Sequence, residues 1–372
     1  MTYDFAHISA QFQIEGEYLD CLPYGEGHIN QTFLLRVRRD GAEKRYILQR
    51  INSTLFQDVP RLMENILRVT SFARDEVIRR GGDPLRETMT VIPARDGKPY
   101  YFDGNDYFRV YLFIEDAVSF QTVEDPRYFY ASAVAFGKFA MLLANFDAHD
   151  LYEPLPDFHN TAKRFRDFTD ALARDPLGRA KEVQAEIEFV LAREAMTSKI
   201  TSLLALGDLP TKVTHNDTKL NNVLIDPKTA EPVAVIDLDT IMPGSICYDF
   251  GDSIRFGCST AAEDEPNLEK VHFDTDLFRT YTEGYLWALG VSVTETELEH
   301  LSVGAKMMTY ECGMRFLTDY LLGDTYFRVK RPGHNLDRAR TQFRLVSEME
   351  QATAQMDHAV REIYAQLRHT KA

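Results

Sequence analysis

Residues 213–226 read Val-Thr-His215-Asn-Asp217-Thr-Lys-Leu-Asn-Asn222-Val-Leu-Ile-Asp, and residues 233–239 read Val-Ala-Val-Ile-Asp237-Leu-Asp239. The first segment predicts a loop, in which an aspartate precedes an asparagine by five positions, followed by a short strand. Asp-Pro-Lys at residues 226–228 predicts the turn of a hairpin. This hairpin would return the chain so that Asp237 lies beside Asp217 and Asn222, and three oxygen ligands would converge.

These oxygen ligands suit phosphoryl transfer. One carboxylate is needed to orient an acceptor hydroxyl group and take its proton, and an amide oxygen with a second carboxylate holds Mg²⁺ on the phosphates of ATP. A His-x-Asp sequence alone is typical of an ordinary capped loop. The complete pattern, with the later asparagine, two strands and Ile-Asp, is specific. For Asp239 two interpretations stay open: an acid behind the metal ligands, or a solvated turn residue.

The region before this motif has the pattern of a small β-rich lobe. Runs of β-branched and aromatic residues predict strands at residues 33–38, 45–49 and 107–114. One helix is predicted from Val59 to Arg79, because apolar residues recur at helical spacing until two glycines end it. A nucleotide-binding lobe is therefore expected at residues 1–113.

After Asp125 the sequence changes to long helical periods. Helices are predicted at residues 128–146, 161–172, 185–206 and 298–322. A last helix is predicted to begin at Asn335, as the N-cap after Pro332-Gly333, and to continue through Ile363. A larger helical lobe with the catalytic and acceptor-binding residues is therefore expected at residues 114–372.

Gly25-Glu-Gly27 lies between two predicted strands. Glycines carry little bulk, so this loop is a candidate for contact with the phosphates of a nucleotide. Asn30 stands where a third glycine would complete a protein-kinase loop, so an ordinary hairpin turn stays the alternative. His28 would by default be a partly exposed turn residue.

The strand at residues 46–50 lacks the lysine that grips phosphates in the kinase template. Gln49 or Arg50, depending on which face the strand turns to the nucleotide, would replace that lysine. Glu64 on the predicted helix is the expected ionic partner of either arrangement. The alternative is that the strand forms a structural salt bridge at the edge of the sheet.

Composition excludes some classes of partner. The formal net charge of the 372 residues is -15, which argues against binding to nucleic acid or to an anionic membrane. Four cysteines without a Cys-x-x-Cys pair suggest reduced thiols rather than a disulfide framework or a zinc site. The first residues lack the pattern of a signal peptide, so a cytoplasmic location is expected.

The segment around Asp217 resembles the catalytic and metal-binding loops of the aminoglycoside phosphotransferase and choline kinase superfamily. Those enzymes have His-x-Asp where protein kinases have His-Arg-Asp, and Ile-Asp in place of Asp-Phe-Gly. The resemblance implies Asp217 as the catalytic base and Asn222 and Asp237 as Mg²⁺ ligands, with structural support from His215 and Asp249. It also implies an α+β, bilobed, protein-kinase-like fold with ATP between a small antiparallel β-sheet lobe with one helix and a larger, mostly helical lobe.

Longer blocks are similar to the N-acetylhexosamine 1-kinase family. These blocks are residues 24–33, 46–52, 213–222 and 330–340. The resemblance implies GlcNAc or GalNAc as the acceptor, phosphorylated at the anomeric hydroxyl group. It also implies contacts of His28, Arg315 and Tyr326 with the sugar beside Asp217.

Other activities are compatible with the same fold. Choline, homoserine and an aminoglycoside are the alternative acceptors, but an arginine beside the acceptor suits a neutral, hydroxyl-rich sugar better than a cation. A nucleotide-binding pseudokinase that acts as a scaffold is disfavoured, because such proteins usually lack one of the three catalytic polar residues. The sequence leaves open the preference for GlcNAc or GalNAc and the oligomeric state, with a monomer compatible.

Overall fold

An antiparallel sheet forms the first part of the computed structural model, which describes residues 3–25 and 29–371. The strands of this sheet are β1 (Glu17–Pro23), β2 (Gln31–Arg39), β3 (Ala42–Ile51), β4 (Val91–Ile92), β5 (Tyr101–Phe102) and β6 (Tyr107–Leu112). They lie in the order β1-β2-β3-β6-β4, and β5 also pairs with β6. The three predicted strands are therefore confirmed as β2, β3 and β6, with slightly different ends.

The helices of this part are α1 (Phe5–Ser9), α2 (Val59–Arg79) and α3 (Pro84–Glu87). The long helix α2 has the predicted bounds. Asp58 caps it by accepting a hydrogen bond from the N–H of Arg61 at 3.1 Å. Gly81 follows the helix with a φ of +76°, a backbone conformation that is unfavourable for residues with a Cβ atom, and the chain changes direction there.

The larger part of the chain is mostly helical. Its helices are α4 (Pro126–Leu142), α5 (Thr161–Arg174), α6 (Gln184–Leu191), α7 (Lys199–Leu206), α8 (Ile246–Gly257), α9 (Thr275–Leu289), α10 (Glu295–Leu322), α11 (His334–Gln351) and α12 (Thr353–Lys371). Its strands are β7 (Lys212–Thr214), β8 (Val223–Ile225), β9 (Pro232–Val235) and β10 (Met242–Gly244). The antiparallel pair β8-β9 is the predicted hairpin, and β7 pairs with β10.

Two helix predictions were wrong in detail. The helix expected at residues 185–206 is divided into α6 and α7 by a 3-10 turn at Glu194–Met196. The last helix begins at His334 with Gly333 as its N-cap, and a break at Ala352 separates α11 from α12. Asn335 does not cap this helix, because its side chain is buried and donates hydrogen bonds to Asp319 and Asp324 at 2.9 Å. Sequence spacing gave no sign of these distant partners.

Helices α8 and α10 approach each other closely at two glycines. A Cβ atom on Gly251 would collide with the carbonyl group of Gly304, and one on Gly304 would collide with the carbonyl group of Cys247. This contact fixes α8 against the long helix α10, and α8 carries Asp249 and Asp252 toward the loop that follows β7. The backbone contact therefore decides where these two carboxylates lie.

Within the described part of the chain, none of the helices combines the length and apolar character that crossing a membrane requires. The sheet ends at Leu112 and the first long helix of the larger part begins at Pro126. The predicted boundary between residues 113 and 114 falls just after β6, and it stays a prediction.

Candidate active site

The loop after β7 is held by two buried carboxylates of α8. Asp249 accepts hydrogen bonds from the backbone N–H groups of His215 at 2.9 Å and Asn216 at 2.7 Å. Asp252 accepts one from the N–H of Thr218 at 3.0 Å. Burial raises the pKa of Asp249, while the two backbone N–H groups that donate to it act in the opposite direction. Both carboxylates thus fix the backbone on either side of Asp217.

Asn216 shapes the same loop through its backbone and its side chain. Its φ is +64°, in the left-handed region that asparagine tolerates better than most residues. Its amide group donates hydrogen bonds to the carbonyl oxygens of Thr240 at 2.8 Å and Thr214 at 3.2 Å. The asparagine therefore ties the loop to the segment that follows Asp237.

His215 is fully buried and links the loop to the end of β9. Its Nε2 lies 2.9 Å from the carbonyl oxygen of Ile236, and its Nδ1 lies 3.3 Å from the backbone nitrogen of Asp217. A carbonyl only accepts and a backbone N–H only donates, so the arrangement fits a neutral ring protonated on Nε2. The ring also packs edge-on against Phe136 at 5.4 Å. His215 thereby positions Asp217 relative to the strand that leads to Asp237.

Asp217 is ionised and its carboxylate is partly accessible. Its Oδ1 lies 2.8 Å from Nζ of Lys219, and its Oδ2 accepts a hydrogen bond from Nδ2 of Asn222 at 3.1 Å. Burial alone would raise the pKa of Asp217, but the charge and hydrogen bond of Lys219 bring it below the usual range. The carboxylate side chain is 28% exposed, so an acceptor hydroxyl group has a path to it.

Asp237 lies beside this group with its carboxylate open. The backbone N–H of Ile236 donates to the carbonyl oxygen of Asn222 at 2.9 Å, which brings the two predicted metal ligands together. Asp237 is exposed, and none of the described residues donates a hydrogen bond to its carboxylate. Although the carboxylate is open to solvent on one side, desolvation by the protein packed around it and repulsion from Asp239 and Asp217 raise its pKa to about 6.

Asp239 is buried and belongs to an ion pair that joins β6 to this segment. Arg109, which is 1% exposed, binds both oxygens of Asp239, and its Nη2 lies 3.0 Å from Oδ2. Asn30 donates a further hydrogen bond to Oδ2 at 2.5 Å. The interpretation of Asp239 as a solvated turn residue is therefore wrong, because the residue is buried and both of its oxygens bind protein groups.

Gln49 and Arg50 point to opposite faces of the sheet. The side chain of Gln49 accepts from Nε of Arg109 at 2.9 Å and donates to Thr32 at 2.9 Å, so it lies on the face that meets Asp239. Arg50 pairs with Asp106 at 2.6 Å, so the alternative of a structural salt bridge is met, although β3 is an interior strand and not the edge of the sheet. Contact of either residue with a nucleotide stays a prediction.

Glu64 is exposed on α2 and pairs with neither of these strand residues. The expected ionic pairing was wrong, because α2 turns Met63 rather than Glu64 toward the sheet, with its sulfur 3.7 Å from Nη1 of Arg109. Asn65 anchors the same helix by donating to the carbonyl oxygen of Tyr152 at 2.7 Å and accepting from its N–H at 3.0 Å. A contact of Glu64 with a cofactor stays a prediction.

The glycine loop is described only at its edges. Gly25 has a φ of +71° and open space where a Cβ atom would lie. Gly27 and His28 fall outside the described residues, so their predicted contacts with nucleotide and sugar stay predictions. Asn30, in the place of a third glycine, accepts from the N–H of Asn52 at 3.0 Å as well as donating to Asp239.

The predicted acceptor residues lie at the other side of the catalytic loop. His159 connects the carbonyl oxygen of Asn216, at 3.1 Å, to the buried carboxylate of Glu311, at 3.0 Å. Arg315 follows Glu311 by one turn of α10. Its guanidinium lies 5.9 Å from the ring centre of Tyr326, so the structure brings the two predicted sugar contacts together.

Asp319 holds the loop that carries Tyr326. Its Oδ1 accepts from the N–H groups of Thr325 at 2.9 Å and Tyr326 at 2.8 Å. Its Oδ2 accepts from the N–H of Phe327 and from Asn335, both at 2.9 Å. The ring of Tyr326 itself is 64% exposed, so the backbone of this loop is fixed while the side chain stays open to a ligand.

Sequence reasoning missed two features of this site. Arg109 was signalled by its position, since a single arginine inside the apolar run from Tyr107 to Leu112 must find a buried partner. The bridge of His159 and Glu311 carried no comparable signal, because 152 positions separate the two residues. Only the packing of α10 beside α5 brings them together.

Comparison with known proteins gives a family match and several similar folds. The sequence profile of the phosphotransferase enzyme family matches residues 20–287. The structure is similar to an aminoglycoside phosphotransferase from Alicyclobacillus acidocaldarius, with 13% identity and a TM-score of 0.59, over 98% of this chain and 96% of that chain.

Two further solved structures are similar. A choline kinase from Cryptosporidium parvum has 14% identity and a TM-score of 0.53, over 95% of each chain. A spectinomycin phosphotransferase, solved with ADP and spectinomycin, has 14% identity and a TM-score of 0.53, over 90% of this chain and 93% of that chain. At these identities the likeness shows the fold alone. It confirms the predicted α+β class with an antiparallel sheet and a larger helical part.

Proposed function

The chain belongs to the phosphotransferase enzyme family, and from this premise we propose that it transfers the γ-phosphate of ATP to the anomeric hydroxyl group of an N-acetylhexosamine. The product with GlcNAc or GalNAc would be the 1-phosphate. The observation that carries the proposal is the convergence of Asp217, Asn222 and Asp237 beside an accessible surface. A transferase of this type needs a base and a metal-binding pair at the same place.

Asp217 is the proposed base. Its lowered pKa keeps the carboxylate ionised at neutral pH, and its partial exposure lets a hydroxyl group reach it. The carboxylate would orient the acceptor hydroxyl group toward the γ-phosphate and receive its proton as the new P–O bond forms. Lys219 and Asn222 hold the two oxygens in place, which limits the orientations that the acceptor can take.

Asn222 and Asp237 fit a magnesium ion. Mg²⁺ prefers oxygen ligands and commonly takes one or two from protein, with water and phosphate oxygens completing its shell. Nδ2 of Asn222 donates to Asp217, so its amide oxygen is the atom left for a cation. The raised pKa of Asp237 reflects repulsion from the neighbouring carboxylates, so a cation bound to its open carboxylate would be stabilising. When bound, Mg²⁺ would neutralise part of the charge on the triphosphate.

The identity of the acceptor rests on the sequence resemblance to N-acetylhexosamine 1-kinases. The proximity of Arg315 and Tyr326 supports it, because both side chains offer hydrogen-bond donors to hydroxyl and carbonyl oxygens. His28 is the third proposed contact with the sugar. Choline, homoserine or an aminoglycoside as the acceptor would keep the same transfer chemistry and change only this side of the site.

A panel of acceptors tests the proposal. The purified protein is incubated with ATP, Mg²⁺ and GlcNAc, GalNAc, choline, homoserine or an aminoglycoside, and the release of ADP is measured. We expect turnover with the N-acetylhexosamines. Turnover confined to an amine acceptor would refute the sugar assignment, and ADP release in no mixture would favour a scaffold.

The position of the new phosphate gives a second test. Phosphorus NMR of the product from GlcNAc should show coupling of the phosphate to the anomeric proton. The methyl glycoside of GlcNAc, which is blocked at C1, should not react. A product phosphorylated at C6, or turnover of the methyl glycoside, would contradict transfer to the anomeric position and leave the kinase activity intact.

A further inference from the structure

Arg315 has an unexpected neighbour of the same charge. Arg164, in the first turns of α5, is held by its Nη2, which donates to the carbonyl oxygen of Phe158 at 3.2 Å. The ring of Phe158 in turn lies 5.6 Å from the guanidinium of Arg315. The two guanidinium groups therefore border the same residue, Arg164 at its backbone carbonyl and Arg315 at its ring, and Arg315 also lies near Tyr326.

Arg164 lacks a close ionic partner. The nearest carboxylate, that of Asp167, is 3.8 Å away and binds Lys163 more closely, at 2.9 Å. The Nε of Arg164 is buried and has no hydrogen-bond acceptor among the described residues. A buried donor without a partner is destabilising, so an arginine left in this state calls for an explanation.

Arg315 also lacks a close ionic partner. It forms no salt bridge with any described residue, and its guanidinium lies near the rings of Phe158, Tyr326 and Phe327. Glu311 lies one turn away on α10, but His159 and Thr161 occupy its two oxygens, at 3.0 and 2.5 Å. Glu311 therefore acts on the two guanidinium groups through its charge, and it accepts no hydrogen bond from either.

The electrostatics of the pair are unfavourable without a ligand. Burial lowers the pKa of Arg164 and the positive charge of Arg315 lowers it further, and these two effects outweigh the opposing charges of Glu311 and Asp167. Arg164 also lies near the N-terminal end of α5, where the helix dipole disfavours a cation. A fold that keeps two such groups together against these costs is typical of a site that binds a ligand.

We propose that Arg164 is a second acceptor-binding residue beside Arg315, and that the pair selects acceptors rich in hydroxyl and carbonyl oxygens while repelling cationic ones. The inference rests on the proposed function and deepens it. The guanidinium of Arg164 keeps an N–H donor that no described group accepts, and its side chain is 23% exposed. Two positive charges at one edge of the acceptor site disfavour choline and aminoglycosides.

The test is the substitution Arg164→Gln, with Arg166→Gln as the matched control. Arg166 lies on the same helix, is exposed and has no role in the proposed site. Loss of a hydrogen bond from a charged donor should raise the KM for the sugar about tenfold to a hundredfold. The KM for ATP should stay the same and kcat should change little, as for Arg315→Gln, whereas a general loss of structure would change all three.

Arg164→Lys keeps the positive charge and provides a second, more conservative variant in case Arg164→Gln does not fold. We expect it to recover part of the sugar affinity and to keep choline a poor acceptor, whereas Arg164→Gln should weaken the discrimination against choline. An unchanged KM for the sugar in both variants would overturn the inference and leave the proposed function standing. If the wild-type protein instead uses a neutral acceptor other than an N-acetylhexosamine, and Arg164→Gln raises the KM for that acceptor, the sugar assignment fails and the role of Arg164 stands. Preferential use of choline would overturn both.

Discussion

Asp237 shows how single residues in this site are adapted to a ligand rather than to stability. Its backbone has φ +62° and ψ +61°, in the left-handed region. Its carboxylate lies near two others, Asp217 and Asp239, and both raise its pKa. Neither feature stabilises the fold by itself, which is typical of residues that hold a metal or substrate.

Asp217→Ala should reduce kcat about 10²-fold to 10⁴-fold, because it removes the base and leaves the metal-binding pair in place. The KM for ATP should change little. Steady-state release of ADP with GlcNAc measures both constants. Asp226→Asn, in the turn of the same hairpin, serves as the control and should keep its activity. A kcat within threefold of the wild-type value for Asp217→Ala would rule out its role as the base.

Asp237→Asn should abolish the binding of Mg²⁺ with ATP and at the same time stabilise the metal-free protein. Asparagine tolerates the left-handed backbone and removes the repulsion from the neighbouring carboxylates.

In the wild type the raised pKa of Asp237 means that the folded state binds a proton more tightly than the unfolded state. Stability from this group is therefore present at low pH and is lost as the pH rises toward about 6.

Thermal unfolding without Mg²⁺, followed from pH 4 to pH 8, tests this linkage. The Tm of the wild type should fall relative to that of Asp237→Asn as the pH approaches about 6. In the same pH range the affinity for Mg²⁺ should fall with decreasing pH, since a protonated carboxyl group does not bind the metal. Equal Tm values for the two proteins at every pH would show that Asp237 is not under electrostatic stress.

At the scale of elements, the loop from Thr325 to Phe327 depends on one carboxylate at the end of α10. Asp319 accepts three backbone N–H groups and the amide of Asn335, so each of its oxygens has two donors. The loop carries Tyr326, and Phe327 packs near the guanidinium of Arg315 at 5.5 Å. The helix end thereby positions an aromatic side of the acceptor site.

Asp319→Asn should raise the KM for the acceptor and leave the KM for ATP unchanged. The substituted amide presents its own N–H groups to two of the four donors, which breaks both of those hydrogen bonds at a cost of about 1–3 kcal/mol each. Kinetics with varied GlcNAc and a urea unfolding curve measure the two effects. Asp170→Asn, at an exposed position of α5, is the control. Acceptor kinetics like those of the control would mean that the loop does not need this anchor.

At the scale of the whole molecule, the sheet and the helical part are joined through a buried ionic network. Cross-strand neighbours Thr32, Gln49 and Arg109 form a row of hydrogen bonds across β2, β3 and β6. Arg109 ends the row on Asp239, two residues after Asp237. The position of the sheet is therefore linked directly to the metal-binding segment.

Arg109→Met should destabilise the protein by about 3–5 kcal/mol, because it leaves the buried charge of Asp239 without its partner. The double variant Arg109→Met with Asp239→Leu removes both charges and should recover much of that loss. Arg45→Met breaks an exposed pair with Glu115 and should cost about 1 kcal/mol or less. Urea unfolding measures all three, and a loss for Arg109→Met no larger than for Arg45→Met would contradict the structural importance of the network.

Features that depend on local pattern could be predicted from the amino-acid sequence. The bounds of α2 followed from apolar spacing and from the glycines after it, and the hairpin of β8 and β9 followed from its turn residues. Residues 213–237 sufficed to predict that Asp217, Asn222 and Asp237 converge, because a short hairpin leaves few ways to arrange them.

The tertiary structure alone decided the features that join distant segments. The face of β3 that meets Asp239, the exposure of Glu64 and the use of Asn335 inside α11 depended on partners far away in the chain. The pairing of Arg109 with Asp239 and the meeting of Arg164 with Arg315 are further examples. The physical reason is that periodicity and turn chemistry act over a few residues, whereas buried charges are satisfied by whichever groups the packing of whole elements brings within reach.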